Sequence, residues 1–239
     1  MKRRKFSVIA VLAAVSGLVA ALGAGGSGAS AAAGASLTFS QPTKIDNPYW
    51  PLPAGRRCSY RGLSDEGVKE RSVKQVLDRT KAFHVNAQQI QATVVEDRAF
   101  TGGKLVERTF DYYAQSDDGT VYYMGEDVTN YRKNGNVLDH HGTWLYGEHT
   151  DVPGVAMLPA PKVGDQWRFE DVPGVTAESN RLEEAGMRAK AGGRLYTDVI
   201  RVQEFIQPEG EVEYKLYAPG VGLITEYPPD GRSELVSCR

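Results

Sequence analysis

The segment VERTFDYYAQSDDGTVYYMGED, residues 106–127, decides the fold class. Two runs rich in Tyr, Phe, Thr and Val, the residue types enriched in strands, flank Ser116-Asp117-Asp118-Gly119. The Asp-Gly pair is typical of a hairpin turn. The segment therefore predicts two antiparallel strands, Leu105 to Gln115 and Val121 to Met124.

Turn signals of the same kind occur on both sides of this hairpin. A Gly-Gly turn precedes it and an Asn-Gly turn follows it, and regularly spaced turns of this kind favour an all-β fold. In the second half, Glu211 to Tyr217 alternates apolar and polar residues, which predicts one buried and one solvent-exposed strand face. Further predicted strands are 143–146, 166–170, 194–202 and 223–227.

Two segments have helix-like features. Residues 68–77 place Val68, Val73, Val76 and Leu77 at helical spacing, and residues 177–190 have a helix-forming composition. Each could be a short helix on the sheet. We favour strands, because the helical period of about 3.6 residues persists only briefly and turn-bounded strands flank both segments.

Four stretches together resemble a known group of proteins. They are VGDQWRF (163–169), AGGRLY (191–196), YKLYAPGVGLI (214–224) and the hairpin from DYYAQ to YYMGED (111–127). They are similar to segments of secreted and periplasmic bacterial β-sheet proteins, whose function is mostly unassigned. The resemblance implies a strongly curved antiparallel sheet, a half-barrel or open barrel, with short or no helices. It implies no catalytic residue.

The amino terminus has the pattern of a secretory signal peptide. Four basic residues at 2–5 precede the apolar stretch Phe6 to Leu22, and small residues follow. The apolar stretch is shorter than the roughly 20 residues of a membrane span, so no stable anchor is expected. We predict a signal peptide over 1–31, cleaved between 31 and 35, and a single β-rich domain over 37–239. Export would use general secretion or the twin-arginine route, which Arg3-Arg4 resembles.

The charge of the remaining chain excludes one class of partner. The chain has 28 basic and 30 acidic residues, and the first 31 residues hold four of the basic and none of the acidic ones. An acidic chain cannot supply the basic field that dominates nucleic-acid affinity. We therefore expect no nucleic-acid partner.

Cys58 and Cys238 are the only cysteines in the sequence. In an oxidising compartment such a pair most simply forms one disulfide. A cysteine nucleophile is the alternative, but no residue pattern around Cys58 indicates activation. We predict the Cys58–Cys238 disulfide, which would bring the first strand next to the last.

Three of the four histidines lie within ten residues, at His140, His141 and His149. One of the first two, with His149 and a carboxylate, could form a Zn²⁺ or Cu²⁺ site, so His141 and His149 are the candidate ligands. Solvated histidines at a hairpin tip are the other interpretation. We favour it, because the spacing matches no established metal pattern.

The aromatic residues of the central hairpin form the second candidate site. Strand alternation places Tyr113 with Tyr122 on one face, and Tyr112 with Tyr123 on the other. Core packing explains such residues, but a concave wall of Tyr113, Tyr122, Trp144 and Tyr146 could also hold a small-molecule, lipid or glycan ligand. Carboxylates available around this wall are Asp111, Glu126, Asp127 and Glu170.

No local catalytic motif is present: the sequence has no G-x-S-x-G, H-E-x-x-H, C-x-x-C or phosphate-loop pattern. We predict no catalytic residue and no cofactor. The favoured hypothesis is an exported, non-catalytic protein that binds a partly apolar ligand or envelope component on its aromatic face. The alternatives are a secreted hydrolase using carboxylate or histidine residues of that face, and a Zn/Cu-binding protein using His140–His149.

Overall fold

The computed structural model describes residues 37–239, except 65, 208, 209 and 230. The predicted signal peptide and its cleavage site lie outside the described residues. The described residues contain fourteen strands and no helix, so none of their elements is a helix able to cross a membrane. The strands are β1 (Arg57–Ser64), β2 (Lys69–Val85), β3 (Gln88–Thr101), β4 (Lys104–Gln115), β5 (Val121–Tyr131), β6 (Val137–Asp139), β7 (Trp144–Leu145), β8 (Gly154–Met157), β9 (Gln166–Val172), β10 (Thr176–Ala191), β11 (Arg194–Gln207), β12 (Glu211–Ala218), β13 (Gly222–Tyr227) and β14 (Gly231–Cys238).

The strands form one antiparallel sheet in the order β6-β5-β4-β3-β2-β1-β14-β13-β12-β11-β10-β9, and β7 and β8 both pair with β5. The all-β prediction is confirmed. Both segments with helix-like features are strands, since 68–77 falls largely in β2 and 177–190 falls in β10. The β1–β14 pairing brings the first and last strands to the middle of the sheet.

The sheet is strongly curved. Tyr123 of β5 and Phe169 of β9 lie near opposite ends of the strand order, yet their ring centroids are 5.3 Å apart. Between them β8 approaches β9 so closely that a Cβ on Gly154 would lie 2.0 Å from the carbonyl oxygen of Phe169. The strand order ends at β6 and β9, which do not pair, so the sheet stays open.

The curvature creates a concave interior that holds the largest hydrophobic cluster. Its side chains come from β2 round to β12 and include Val95, Trp144, Leu182 and Ile200. A second cluster lies on the opposite face of β3–β5, where Val94 and its neighbours alternate with the interior residues. The interior is therefore the face on which a site can be enclosed.

Candidate functional site

The central hairpin places its tyrosines differently from the predicted arrangement. Tyr113 is the register partner of Tyr123, and their rings stack with centroids 4.9 Å apart. The expected pairing of Tyr113 with Tyr122 is wrong because the turn includes Thr120: the Ser116 amide donates to the Thr120 carbonyl oxygen. This longer turn shifts the register by one residue, and a one-residue shift moves side chains to the other face.

The four aromatic residues predicted to bind a ligand do not share a face. Tyr113 and Trp144 are buried in the interior cluster, where the Trp144 ring meets Tyr123 edge-on at 5.3 Å. Tyr122 and Tyr146 pack, half-buried, against the cluster on the opposite face. The structure thus brings together Tyr113 and Trp144, and ligand binding by any of the four stays a prediction.

A segment ahead of β1 crosses one end of the interior. We call residues 37–56 the N-terminal strap. The Asn47 side-chain amide donates to the carbonyl oxygens of Gly119 (3.1 Å) and Leu158 (3.0 Å). The carbonyl oxygen of the next residue, Pro48, accepts from the Gly220 amide at 2.7 Å. The strap is therefore tied to two distant parts of the sheet.

Trp50 points from the strap into the interior. Its ring centroid lies 5.5 Å from that of Tyr113, 5.7 Å from Tyr217 and 6.3 Å from Phe169. Its indole Nε1 is buried and has no hydrogen-bond partner among the described residues. A buried indole N–H usually finds an acceptor. The Trp50 indole has none, so ring contacts hold the side chain, while its backbone amide donates to the Asn47 carbonyl oxygen.

A cavity that opens to solvent lies beneath the strap. Its walls are mostly apolar and aromatic, and the polar groups that reach it are few, as is typical of ligand sites. The apolar walls include Trp50, Val76, Val95, Tyr113, Tyr217 and Leu223, and the polar residues are Arg56, Tyr60, Lys74 and Asp111. We call this space the interior cavity.

The interior also holds an unusual number of buried acids. Strand alternation and register place eight buried acidic side chains on the interior face, and we call them the acid belt. Several are direct cross-strand partners, among them Asp111 with Glu126 and Glu170 with Glu178. The members are Asp97, Glu107, Asp111, Glu126, Glu170, Glu178, Glu204 and Glu213.

Two lysines neutralise part of the acid belt. Lys74 Nζ lies 3.0 Å from a carboxylate oxygen of Asp97. Lys215 Nζ donates to Glu204 and also lies 3.4 Å from Glu226 and 3.9 Å from Glu213. In the described part of the chain, no lysine or arginine nitrogen comes within salt-bridge distance of Glu126, Glu170 or Glu178.

Burial raises the pKa of the acids that lack a nearby cation. It raises the pKa of Glu170 to about 8, and neighbouring Glu204 adds to the effect. Burial also raises the pKa of Glu126 well above its usual value, with Glu170 as its main like-charged neighbour. Asp111 has a pKa of about 7, because burial outweighs the opposing influence of Lys74. At neutral pH, protons therefore neutralise much of this part of the belt.

Several buried oxygens in the acid belt accept no hydrogen bond of ordinary geometry from the described residues. They include Glu126 Oε2, both carboxylate oxygens of Glu170 and the side-chain oxygen of Asn180. Asn180 is the register partner of both Glu204 and Trp167, so it shares the interior face. Unpartnered donors lie on the same face, since the buried indole Nε1 atoms of Trp144 and Trp167 also have no partner among the described residues.

The structure places three of the four carboxylates named from the sequence in the interior: Asp111, Glu126 and Glu170. Asp127 lies on the other side of β5, where it accepts from the Tyr112 hydroxyl and lies 3.5 Å from Lys81. Sequence reasoning missed Trp50 and most of the belt. The alternating run 211–217 was the available signal, but there Glu213 and Lys215 are on the buried face.

The histidines do not come together as a metal site. His140 Nδ1 lies 2.7 Å from the Val128 carbonyl oxygen, and His149 Nδ1 accepts from the Leu145 amide at 3.1 Å. Within residues 37–239, apart from the four positions not described, no group of three or more His, Cys, Asp or Glu side chains is placed to hold a metal ion. Zn²⁺ or Cu²⁺ binding by His141 and His149 stays a prediction.

The predicted cysteine pair forms the Cys58–Cys238 disulfide. The two residues are register partners in β1 and β14. Cys58 also lines the interior cavity beside Tyr60, and Arg56 Nη2 lies 3.6 Å from Cys238 Sγ. The disulfide therefore joins β1 to β14 next to the candidate site.

Comparison with known proteins places the chain in no family. No family model matches the sequence, and no curated protein is similar to it. Among solved structures, the chain is similar to a Bacteroides fragilis protein with a YmcC-like fold, with 14% sequence identity and a TM-score of 0.45. The match covers 81% of this chain and 99% of that one. At this level of similarity it supports no conclusion about function.

Proposed function

We propose that the protein is an exported, non-catalytic binding protein whose interior cavity takes a partly apolar ligand. The observation that supports this proposal is the cavity beneath the N-terminal strap, with its aromatic walls and few polar groups. Concave sites of this composition are typical of small-molecule binding. The signal-peptide pattern and the disulfide support export.

Trp50 supports the position of the ligand. Its ring fills the space between Tyr113 and Tyr217, although its N–H gains no hydrogen bond there. An apolar ligand in the same place would contact the same rings and leave the tryptophan free to turn towards water. The strap would then act as the entrance of the site.

The test is a fluorescence titration with N-phenyl-1-naphthylamine, an uncharged probe that brightens in apolar surroundings. We expect saturable binding to the wild-type protein and strong weakening in Val221→Trp, which fills the cavity wall. Val163→Trp is the matched control, because Val163 is 61% exposed and does not line the cavity. Equal binding by wild type and Val221→Trp would show that the probe sits elsewhere and would contradict the proposal.

Hydrolysis is a second candidate function, and the Asp111–Glu126 pair favours it. These buried carboxyl groups face each other across β4 and β5, and a pair of carboxyl groups is what acid–base hydrolysis requires. Turnover of nitrophenyl glycosides that disappears in both Asp111→Asn and Glu126→Gln would favour this candidate. Turnover that survives in both variants would exclude the pair.

A further inference from the structure

We propose that the acid belt binds the ammonium group of a partly apolar amine, and that this group contacts Asp111, Glu126 and Glu170 at the inner end of the interior cavity. This inference rests on the proposed function, because the apolar part of the amine would occupy the cavity beneath Trp50. It adds the chemical class of the ligand.

Continuity between the cavity and the acid belt is the first argument. Asp111 lines the cavity, and its direct partner across β4 and β5 is Glu126. Glu170 is the like-charged neighbour that acts most strongly on Glu126. A ligand whose apolar part lies against Tyr113 and Val95 would therefore direct its polar end towards these three carboxyl groups.

Lys215 provides an internal example of the proposed contact. Its ammonium group is buried, donates to Glu204 and lies within 4 Å of Glu213 and Glu226. It also lies 5.9 Å above the centroid of the Phe169 ring, a cation–π position. The interior of this protein thus already holds an ammonium group among carboxylates and an aromatic ring.

The other side of the acid belt has the acceptors of such a site without a protein cation. Glu126 Oε2 is buried and accepts no hydrogen bond from the described residues, and the buried carboxylate of Glu170 has the Thr176 hydroxyl as its neighbouring donor. Independently of the acids, the side-chain oxygen of Asn180 lies unpartnered on the same face, and Asn180 is only 4% exposed. An ammonium group carries three N–H donors and no acceptor, so it could donate to Glu126 Oε2 and to the Asn180 oxygen.

Charge favours an amine over an anion at this position. A carboxylate or phosphate head group would add negative charge beside the buried acids, whereas an ammonium group would replace the protons that neutralise Glu126 and Glu170. Two cations at the cavity are the competing anchors for an anionic head group. The Arg56 guanidinium donates to the carbonyl oxygens of Pro51 and Val221, and Lys74 lies 3.0 Å from Asp97. The acid belt and these cations predict opposite ligand charges.

The experiment compares decylamine, decanol and decanoate, which share one alkyl chain and differ only in head group. Their affinities for the full-length protein are measured by calorimetry at neutral pH, below the concentration at which they form micelles. We expect decylamine to bind at least about tenfold more tightly than decanol, with decanoate weakest, since pairing a buried charge is worth this much or more.

Two variants and a control test the residues. Glu126→Gln and Glu170→Gln keep the shape of the side chain, and each should reduce the advantage of decylamine over decanol about tenfold while leaving decanol binding unchanged. Glu107→Gln is the matched control: Glu107 is also buried with a pKa of about 8, but it lies four positions along β4 from Asp111 and outside the proposed contact. It should keep the advantage within about twofold.

The outcomes separate this inference from the proposed function. If decanol binds as tightly as decylamine, or if both Gln variants keep the full advantage, the amine site is wrong and the apolar cavity stands. If decanoate binds most tightly, the amine site is wrong and the head group is held by the cavity cations Arg56 and Lys74 instead. If none of the three compounds binds, the proposed function and the amine site both fail.

Discussion

At the scale of single residues, the interior depends on the Tyr113–Tyr123 stack. Tyr123 is fully buried, contacts Trp144 and Phe169, and donates from its hydroxyl to Asp111 at 2.7 Å. Its ring thus joins the apolar cluster to the acid belt. One side chain has both a packing role and a polar role, because the belt and the cluster share the same strands.

Truncation of these tyrosines should show which face is structural. Tyr123→Ala should lower the free energy of unfolding by about 3–5 kcal/mol, as other large aromatic truncations do. Tyr122→Ala, on the other face and half-buried, should cost clearly less. Chemical denaturation of both variants checks this, and equal losses would contradict the assignment of the two residues to different environments.

At the scale of elements, the approach of β8 to β9 depends on the lack of a side chain at Gly154. A Cβ there would lie 2.0 Å from the Phe169 carbonyl oxygen and 3.3 Å from Tyr123 Cβ. The two strands would have to separate, and the separation would disturb the interior beside the acid belt. The contact between β8 and β9 therefore depends on close packing at Gly154, because these two strands are not paired in the sheet.

Gly154→Ala should consequently destabilise the protein by about 1–3 kcal/mol, the usual cost of overpacking. Thermal unfolding measures the effect. Val152→Ala is the control, since Val152 is 63% exposed in the loop before β8 and should leave the melting temperature unchanged. A Gly154→Ala variant as stable as the wild type would mean that β8 has room to move.

The strands could be predicted from sequence, but the side on which their residues lie could not. Turn residues and alternation located the hairpins, because these signals are local. Alternation also suggests that apolar residues face inward, and the run 211–217 breaks that rule: Glu213 and Lys215 are buried, whereas Val212 and Tyr214 are only half-buried. The interior is itself polar there, which only the assembled sheet reveals.

The register of β4 with β5 and the position of the N-terminal strap could not be predicted from the sequence either. Inclusion of Thr120 in the turn depends on a hydrogen bond with Ser116, and this single choice decides which tyrosines meet. The strap has no periodicity, so nothing in its composition places Trp50 against Tyr217. The cavity is formed by segments far apart in sequence, and a local pattern carries no information about such contacts.

At the scale of the whole molecule, the acid belt should reverse the usual effect of pH on stability. Glu107 and Glu170 have ordinary pKa values of 4.5 and folded values of about 8, so the folded state binds more protons than the unfolded state between these limits. Stability should then fall as the pH rises from about 4.5 to about 8. The stability that the protonated carboxyl groups contribute is fully present below the pKa of the unfolded state and is lost above the pKa of the folded state.

Melting temperatures across this range test the effect. The decrease of melting temperature with pH should become shallower in Glu170→Gln, because the side chain at position 170 then has no proton to lose. Asp117, whose pKa is lowered by its hydrogen bonds to Ser40, acts only at more acidic pH and does not interfere. A melting temperature that rises steadily from acidic to weakly alkaline pH would contradict the burial of these acids.

The disulfide should stabilise the molecule as a whole. It joins residues 180 positions apart. By restricting so long a loop in the unfolded chain, it can stabilise the folded state by at most about 5 kcal/mol. Replacing both cysteines by alanine should lower the free energy of unfolding by about 2–4 kcal/mol and leave the β-sheet circular dichroism spectrum intact. Intact mass should show no thiol reactive to alkylation in the native protein, and a reactive thiol would contradict the pairing.

The central position of β1 and β14 in the sheet has a consequence for folding kinetics. On each side of this pair the strands follow one another in sequence, so each half is a run of hairpins that can form from local contacts. The β1–β14 pairing alone joins the halves of the strand order, across 180 residues. Forming this pairing costs the conformational entropy of closing a long loop, and the halves cannot align before it forms. We expect two hairpin arrays to form early and to dock slowly, with the assembly of the interior delayed until the docking step.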